Sequence, residues 1–366
     1  MRILLFDNTQ MAVRSGGFFC AKGTGEFAAE LVRLGNDVTM YGQQLDDPSS
    51  TSSFDILGGG VKVAGLKRYR SKIVSYLLLY LVALKYIIKA DFVYIFYPTS
   101  YRYIPFFCSL FRTKYGLYVR GDEGVDTKLA KRLYRKAHVV FTVAQLFTDL
   151  VNSASKKNNG YTIRPMISYT DKDVVKGRSY CPKDKYEILF LCRIQKEKGV
   201  LELLDAIKEL KDSDVRNLHL SIVGGGPYLE ETKNIVKEYL LTDMVSVEGP
   251  VDDEERKKKY FVESDIYILP TYYREGFPRT LYEAMVFGTP VITTFVSGIP
   301  SLMVDGTNCK RIEERSVSSI KESLSYAINN YKEMGCLAKH ATDTVSKVLD
   351  PCRPSHAQDV NNAINR

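Results

Sequence analysis

Short apolar runs recur along the chain at a strand-like length, separated by longer segments with apolar residues at helical spacing. In the first half "RILLF", "DVTMYG", "DFVYIFY", "KYGLYV" and "HVVFTV" read as strands covered on both faces. "EFAAELVRLG" reads as a helix after a glycine-bearing loop, "RSGGFFCAKG". Residues 152–185 are polar, with Gly and Pro, and read as surface loop and linker. The rhythm then restarts. Strands "YEILFLC", "LHLSIVGGG", "MVSVEG", "DIYILP" and "PVITT" alternate with helices "GVLELLDAIKEL", "YLEETKNIVKEYLL" and "DEERKKKYFVES". A short apolar helix sits within "EGFPRTLYEAMVFGTPVI", residues 275–292.

This alternation predicts an α/β protein built of two doubly wound parallel sheets facing a cleft. At 366 residues the chain exceeds one ordinary core, which agrees. The expected domains are 1–170 and 171–345, with a helix in 346–366 crossing back onto the first. The most apolar segment is "KIVSYLLLYLVALKYIIKA", residues 72–90. Its uninterrupted part, Tyr76–Leu84, falls short of the roughly 20 residues that a membrane span needs. It reads first as a buried helix. The lesser reading is docking on a membrane surface, helped by Lys67, Arg68, Arg70 and Lys72 just before it.

Charge sharpens the picture. The net charge is +8, yet residues 1–180 hold 26 Lys/Arg against 14 Asp/Glu, which is +12. Residues 62–136 concentrate the excess, so the first half is expected to face something anionic, such as a bilayer or a polyanion. No nucleic-acid motif accompanies the charge, which argues against a nucleic-acid partner. Seven scattered cysteines and four histidines, none at ligand spacing, argue against a disulfide framework and a zinc site. The opening "MRILLFDNTQ" is too short in its apolar run for a signal peptide. The expected location is the cytoplasm, with a peripheral position on the cytoplasmic face of the membrane as the lesser reading.

Four loops after strands carry candidate chemistry, at the edge where open α/β sheets bind ligands. In "RSGGF", Gly16 and Gly17 allow close backbone approach before a helix start. In "CRIQKEKG", Arg193 and Lys198 would repel each other unless an anion such as a diphosphate lay between them. "VGGGP" places Gly225 after another strand. In 275–292, Glu275 precedes a helix whose first amides, near Thr280 and Leu281, point outward, and Glu283 follows one turn in. A carboxylate on a helix of Ala, Met and Val is costly without a partner. Two acceptors flanking an anion-binding helix end suit a ligand with hydroxyls on both sides of a phosphate. A nucleotide sugar is such a ligand.

Together "CRIQKEKG", "VGGGP", "EGFPRTLYEAMVFGTPVI" and "SGIPSLMVDGTN" resemble the second domain of glycosyltransferase family four, retaining enzymes of GT-B fold, over about 185–310. The resemblance implies a retaining hexosyl transfer from a nucleotide sugar to a polysaccharide or lipid-linked saccharide. It gives Glu283 to the ribose hydroxyls and Glu275, with the amides of Gly276 and Phe277, to the donor sugar. Arg193 and Lys198 match the pair that neutralises the departing diphosphate, and Thr280 and Leu281 the helix-end amides. Gly16 and Gly17 match the loop closing over donor and acceptor. No metal or other cofactor is expected; Val251, Asp252 and Asp253 form the only loose acidic motif and read as a helix N-cap. Many relatives carry a His near the end of a first-domain strand, where this chain has "LYVRGDEGVD". Arg120, Asp122 and Glu123 are the acceptor-side candidates there. The rival readings are a GT-B epimerase or hydrolase, and an inactive GT-B subunit.

Overall fold

The computed structural model describes residues 1–7, 10–46, 52–69, 71–98, 100–122, 124–167, 169–251, 253–274 and 276–365. Arg70, Glu123, Asp252 and Glu275, singled out above, lie outside the described residues. The chain divides into two compact units, Met1–Ser168 with Cys352–Arg366, and Tyr169–Pro351.

The first unit opens with β1 (Arg2–Phe6), β2 (Met11–Arg14), β3 (Gly17–Cys20), α1 (Lys22–Arg33) and β4 (Asp37–Asp46). There follow β5 (Phe54–Asp55), β6 (Lys62–Lys67), α2 (Lys72–Lys89), β7 (Phe92–Tyr97) and α3 (Ile104–Leu110). Then come β8 (Lys114–Val119), α4 (Lys128–Lys136), β9 (Val139–Thr142), α5 (Gln145–Ser155) and β10 (Gly160–Thr162). The strands form one sheet in the order β10-β9-β8-β7-β1-β4-β2-β3-β5, with β6 also on β4. From β10 to β4 every pairing is parallel. All six residues of β7 are buried, which is why these strands read as continuous apolar runs.

Two expectations for this unit change. "RSGGF" is not a plain loop into a helix but the turn of a β2–β3 hairpin. Arg14 pairs with Gly17, and Ser15 and Gly16 turn with φ of 49° and 78°. Positive φ at both central residues is the turn that matches strand twist, and glycine adopts it without strain. Helix α2 is likewise not simply buried. Only Ser75, Leu79, Ala83 and Ile87 face the core, and the opposite stripe is exposed.

The second unit runs β11 (Tyr186–Leu191), α6 (Val200–Asp212), β12 (Leu218–Val223), α7 (Leu229–Glu238) and β13 (Val245–Gly249). It continues through α8 (Glu254–Glu263), β14 (Ile266–Leu269), α9 (Arg279–Val286), β15 (Val291–Thr293) and β16 (Lys310–Arg311). Two helices, α10 (Val317–Asn329) and α11 (Tyr331–Val348), close it. The sheet is parallel throughout in the order β13-β12-β11-β14-β15-β16. The strand order reverses between β11 and β14, a switch point where such sheets leave a crevice beyond the strand ends.

Part of the supposed linker is pinned onto this unit. The Arg178 guanidinium donates to the carbonyls of Phe261 (3.2 Å), Phe287 (3.3 Å) and Ser264. It thereby satisfies orphan carbonyls where α8 and α9 end. Lys183 bonds the buried Asp265 at 2.6 Å, which also accepts from the Tyr331 hydroxyl at 3.0 Å. Segment polarity suggested solvent; here the polar groups are used to cap and anchor.

The returning helix α12 (His356–Ile364) belongs to the first unit, whereas residues 346–348, assigned to it from the sequence, are the last turn of α11. Its anchor is His356, whose ring lies 4.4 Å from that of Phe27 and 4.5 Å from that of Tyr118. Its Nε2 sits 2.6 Å from the Tyr94 hydroxyl. Burial, then the nearby Arg120 charge, depress its pKa below the usual 6.5, so the folded state holds it neutral. This contribution is present above pH 6.5 and lost as pH falls below it, because the unfolded chain takes up the proton first. His356→Ala is expected to cost about 2–4 kcal/mol of stability at pH 7.5. Urea titrations of wild type and variant followed by circular dichroism at pH 7.5 and pH 5 check both statements, with the cost of His356→Ala smaller at pH 5 than at pH 7.5.

Candidate donor site at the switch point of the second sheet

The site is assembled from loops leaving β11, β12 and β14. After β11 the chain makes a tight segment, 192–199, that presses on its neighbours. The amide of Cys192 donates to Val223, and that of Ile194 to Gly225. Gly224 and Gly226 have positive φ, and a Cβ on either would collide with the carbonyl of Cys192 or Ile194. These two glycines therefore serve protein-to-protein approach, not the approach of a ligand. Gly225 between them is set differently: a Cβ there would stand 3.2 Å from Pro250 and block no backbone group.

The same segment is locked to the loop after β14. A Cβ on Gly199 (φ 77°) would strike the Pro270 carbonyl, and the Tyr272 amide donates to Glu197 at 2.9 Å. Lys198 is consequently buried, unusual for a lysine, with its ammonium 5.0 Å from the Tyr273 ring centre. Arg193, at the other end of the segment, is exposed. Lysine and arginine thus occupy different environments on one loop, the first buried and the second at the surface.

Beyond this loop, Gly276 is buried and the Phe277 ring packs on Tyr282 at 4.4 Å. Pro278, with φ −59° and ψ 128°, leads into α9 without any side-chain cap. The Leu281 amide already donates to the Pro278 carbonyl at 3.1 Å, so it is not the outward donor expected from the sequence. Thr280 is one residue nearer the helix start, where amides lack intrahelical partners. Its hydroxyl accepts from Tyr267 at 2.6 Å. Leu281, Ala284 and Met285 are buried at helical spacing and seat the helix, and Gly288, φ 63°, ends it.

Glu283 stands one turn into α9, half-buried, and its carboxylate has no hydrogen-bond partner among the described residues. Burial, then the charge of Glu254, push its pKa from 4.5 up to about 7, against Lys257 and Arg279. Beside it is a residue that sequence reasoning missed. The Tyr169 hydroxyl is buried without a partner among the described residues, its ring edge-on to Phe287 at 5.1 Å. Burial and then Glu283 raise its pKa. A lone tyrosine in a polar stretch carries no periodic signal by which to find it. Asp253 caps α8, accepting the Arg256 amide at 2.6 Å.

The remaining candidates lie in the first unit. Gly16 and Gly17 form the hairpin turn described above. Arg120 follows β8 and lies over Phe96 (5.6 Å) and Tyr118 (5.9 Å). Asp122 starts a turn closed by the Val125 amide. Glu275 and Glu123 are outside the described residues.

Two α/β units, each built on a largely parallel sheet and the second with a switch point, define an α/β protein of GT-B class. Whole-chain likeness to solved structures supports that class. The chain aligns over 100% of its length with 98% of an Anabaena protein, Alr3699/HepE, crystallised with UDP and glucose (TM-score 0.72, 15% identity). It aligns likewise with 99% of the lipopolysaccharide outer core galactosyltransferase WaaB in its apo form (TM-score 0.68, 16% identity). Residues 171–343 match the family described as Glycosyl transferases group 1. Among relatives, "Putative colanic acid biosynthesis glycosyltransferase WcaL" of Salmonella typhimurium is 24% identical over 246 residues, 64% of this chain and 56% of that protein. Amylovoran biosynthesis glycosyltransferase AmsK of Erwinia amylovora is 32% identical over 121 residues, 32% of this chain and 29% of that protein. The chain spans about half the length of the first curated relatives it matches.

A carboxyl group with a raised pKa destabilises the fold as it ionises, so Glu283 should weaken the protein as pH rises from 4.5 to 7, with the full penalty above 7. Glu283→Gln is therefore expected to raise stability at pH 8 by about 1–3 kcal/mol and to leave it unchanged at pH 4.5. Paired denaturant melts of the two proteins at those pH values measure this.

Proposed function

We infer that the chain is a retaining glycosyltransferase of hexosyl type. It moves a sugar from a nucleotide-sugar donor to a polysaccharide or lipid-linked saccharide in glycan biosynthesis. The observation that carries the reading is Glu283: a half-buried carboxylate with no hydrogen-bond partner among the described residues, held on a helix beside the switch-point crevice. The ribose hydroxyls of a nucleotide would supply the two donors it lacks. The names of the relatives support polysaccharide assembly, and the UDP complex of the Anabaena protein makes UDP the first nucleotide to test.

In this reading Lys198 and Arg193 face the diphosphate. Breaking the sugar–phosphate bond builds negative charge on the leaving group, and fixed cations stabilise that charge more than they stabilise the ground state. Lys198, fixed by its burial and by Tyr273, acts as the preorganised charge; exposed Arg193 closes onto the phosphate with two donors. The Thr280 amide, at the positive end of α9, adds a hydrogen bond to the same oxygens. Glu275 and the amides of Gly276 and Phe277 hold the donor sugar, and Gly225 lies along the nucleotide. The resemblance gives Gly16 and Gly17 a role toward donor and acceptor, and Arg120, Asp122 and Glu123 a role toward the acceptor. The reaction needs no metal, because the cations and helix end neutralise the leaving group.

Thermal melts with UDP, GDP and ADP test the reading on the wild type, Lys198→Ala and Glu283→Ala. A nucleotide at 100 times its dissociation constant is expected to add about 2.7 kcal/mol to the wild type and far less to either variant. Absence of a shift with all three at millimolar concentration would overturn the donor site. The carboxylate is the form that accepts hydroxyls, so binding should weaken as pH falls below 7, by at most about tenfold per pH unit. Calorimetric titrations at pH 8 and pH 6 read that slope.

A further inference from the structure

Helix α2 breaks the usual rule that a surface helix turns its polar side to water. Ile73, Leu77, Leu81 and Ile88 share one stripe and are 82%, 61%, 55% and 59% exposed. Helix α3 lies beside it, with the Phe107 ring 6.1 Å from Tyr80, and adds exposed Tyr103, Phe106 and Leu110. Tyr80 also donates to the Ser100 carbonyl at 2.6 Å, tying the two helices at the loop that enters α3. Singly exposed apolar residues are ordinary; a contiguous set on two packed helices is not.

The rim of this face is basic. Lys85 and Lys89 flank the apolar stripe on α2, and Lys72 begins the helix. Where α3 ends, Cys108 and Ser109 form one wall of a cavity of about 730 Å³. Arg112, Lys114, Arg135, Lys136, His138 and Lys157 line the rest, together with neutral residues and no carboxylate. From residue 72 to residue 121 the sequence holds a single acid, Asp91, and that one is engaged by Arg2 at 2.6 Å.

We propose that the α2–α3 face docks on the surface of an anionic lipid bilayer. The apolar stripe enters the boundary between headgroups and acyl chains, and the basic rim and cavity meet lipid phosphates. Among the described residues no helix is long and apolar enough to cross a membrane, so the contact lies in the plane of the surface. Charge complementarity selects this occupant over a second copy of the chain. Two such faces brought together would set lysine and arginine rims against each other, with no acids to offset them. The proposal stands apart from the proposed sugar transfer, since it concerns the first unit alone.

Flotation of the full chain with vesicles tests it. Vesicles of phosphatidylcholine are compared with vesicles in which a third of the lipid is phosphatidylglycerol. The wild type is expected to float with the anionic vesicles and to be released by high salt. Leu77→Glu/Leu81→Glu should cut partitioning at least about tenfold, and Lys85→Glu/Lys89→Glu by roughly tenfold to thirtyfold. All four positions are exposed, so thermal melts of both variants should match the wild type and so exclude misfolding. No flotation of the wild type, or equal flotation of the variants, would overturn the proposal. So would a wild-type dimer in light scattering that Leu77→Glu/Leu81→Glu converts to monomer, since a second copy would then own the face.

Discussion

The second unit depends on close backbone contact at the carboxyl edge of its sheet. Gly224 and Gly226 admit the carbonyls of Cys192 and Ile194, and Gly199 admits that of Pro270. No side chain can stand at these points, and the loops after β11, β12 and β14 are thereby fused into one rigid rim. Its consequences reach outward in order. The fused rim buries Lys198, sets Tyr273 beneath its ammonium, and fixes where the chain turns through Gly276 and Pro278 into α9. A charge that need not be moved into place at the moment of reaction is worth more than a mobile one.

Against that rigidity stands a group left uncompensated. Glu283 has no protein donor among the described residues, and its neighbour Glu254 makes its ionisation harder still. An arrangement selected for stability alone would place an apolar or paired residue there. Tyr169, with its hydroxyl also unpaired among the described residues, borders the same carboxylate. Two polar groups at one place without partners among the described residues cost stability, the trade expected of the binding site proposed above.

The first unit spends its unusual features differently. Its core is closed by α12, whose His356 joins Tyr94, Phe27 and Tyr118 as a neutral ring in an aromatic cluster. Its surface is opened by α2, apolar on both faces with only one of them covered. The covered stripe uses small residues, Ser75 and Ala83, to lie close on the sheet. Leu77 and Leu81 are the same size as core residues but stay exposed.

The sequence alone was enough for the α/β class, because parallel strands buried on both faces must be continuously apolar and helices between them must be periodic. It also singled out Glu283 as a carboxylate on an apolar helix, and Arg193 and Lys198 as two cations on one loop that an anion between them would reconcile. These are local properties, and local patterns are legible. Only the tertiary structure decided which face of α2 is covered, since periodicity cannot separate two apolar stripes. It alone assigned Gly224 and Gly226 to backbone contact instead of ligand contact, turned "RSGGF" into a hairpin, and tied up the Leu281 amide. It alone brought Arg178 to the ends of α8 and α9 and Tyr169 to Glu283. Those outcomes rest on contacts between residues distant in sequence, where the identity of the neighbour, not the residue's own chemistry, sets the role.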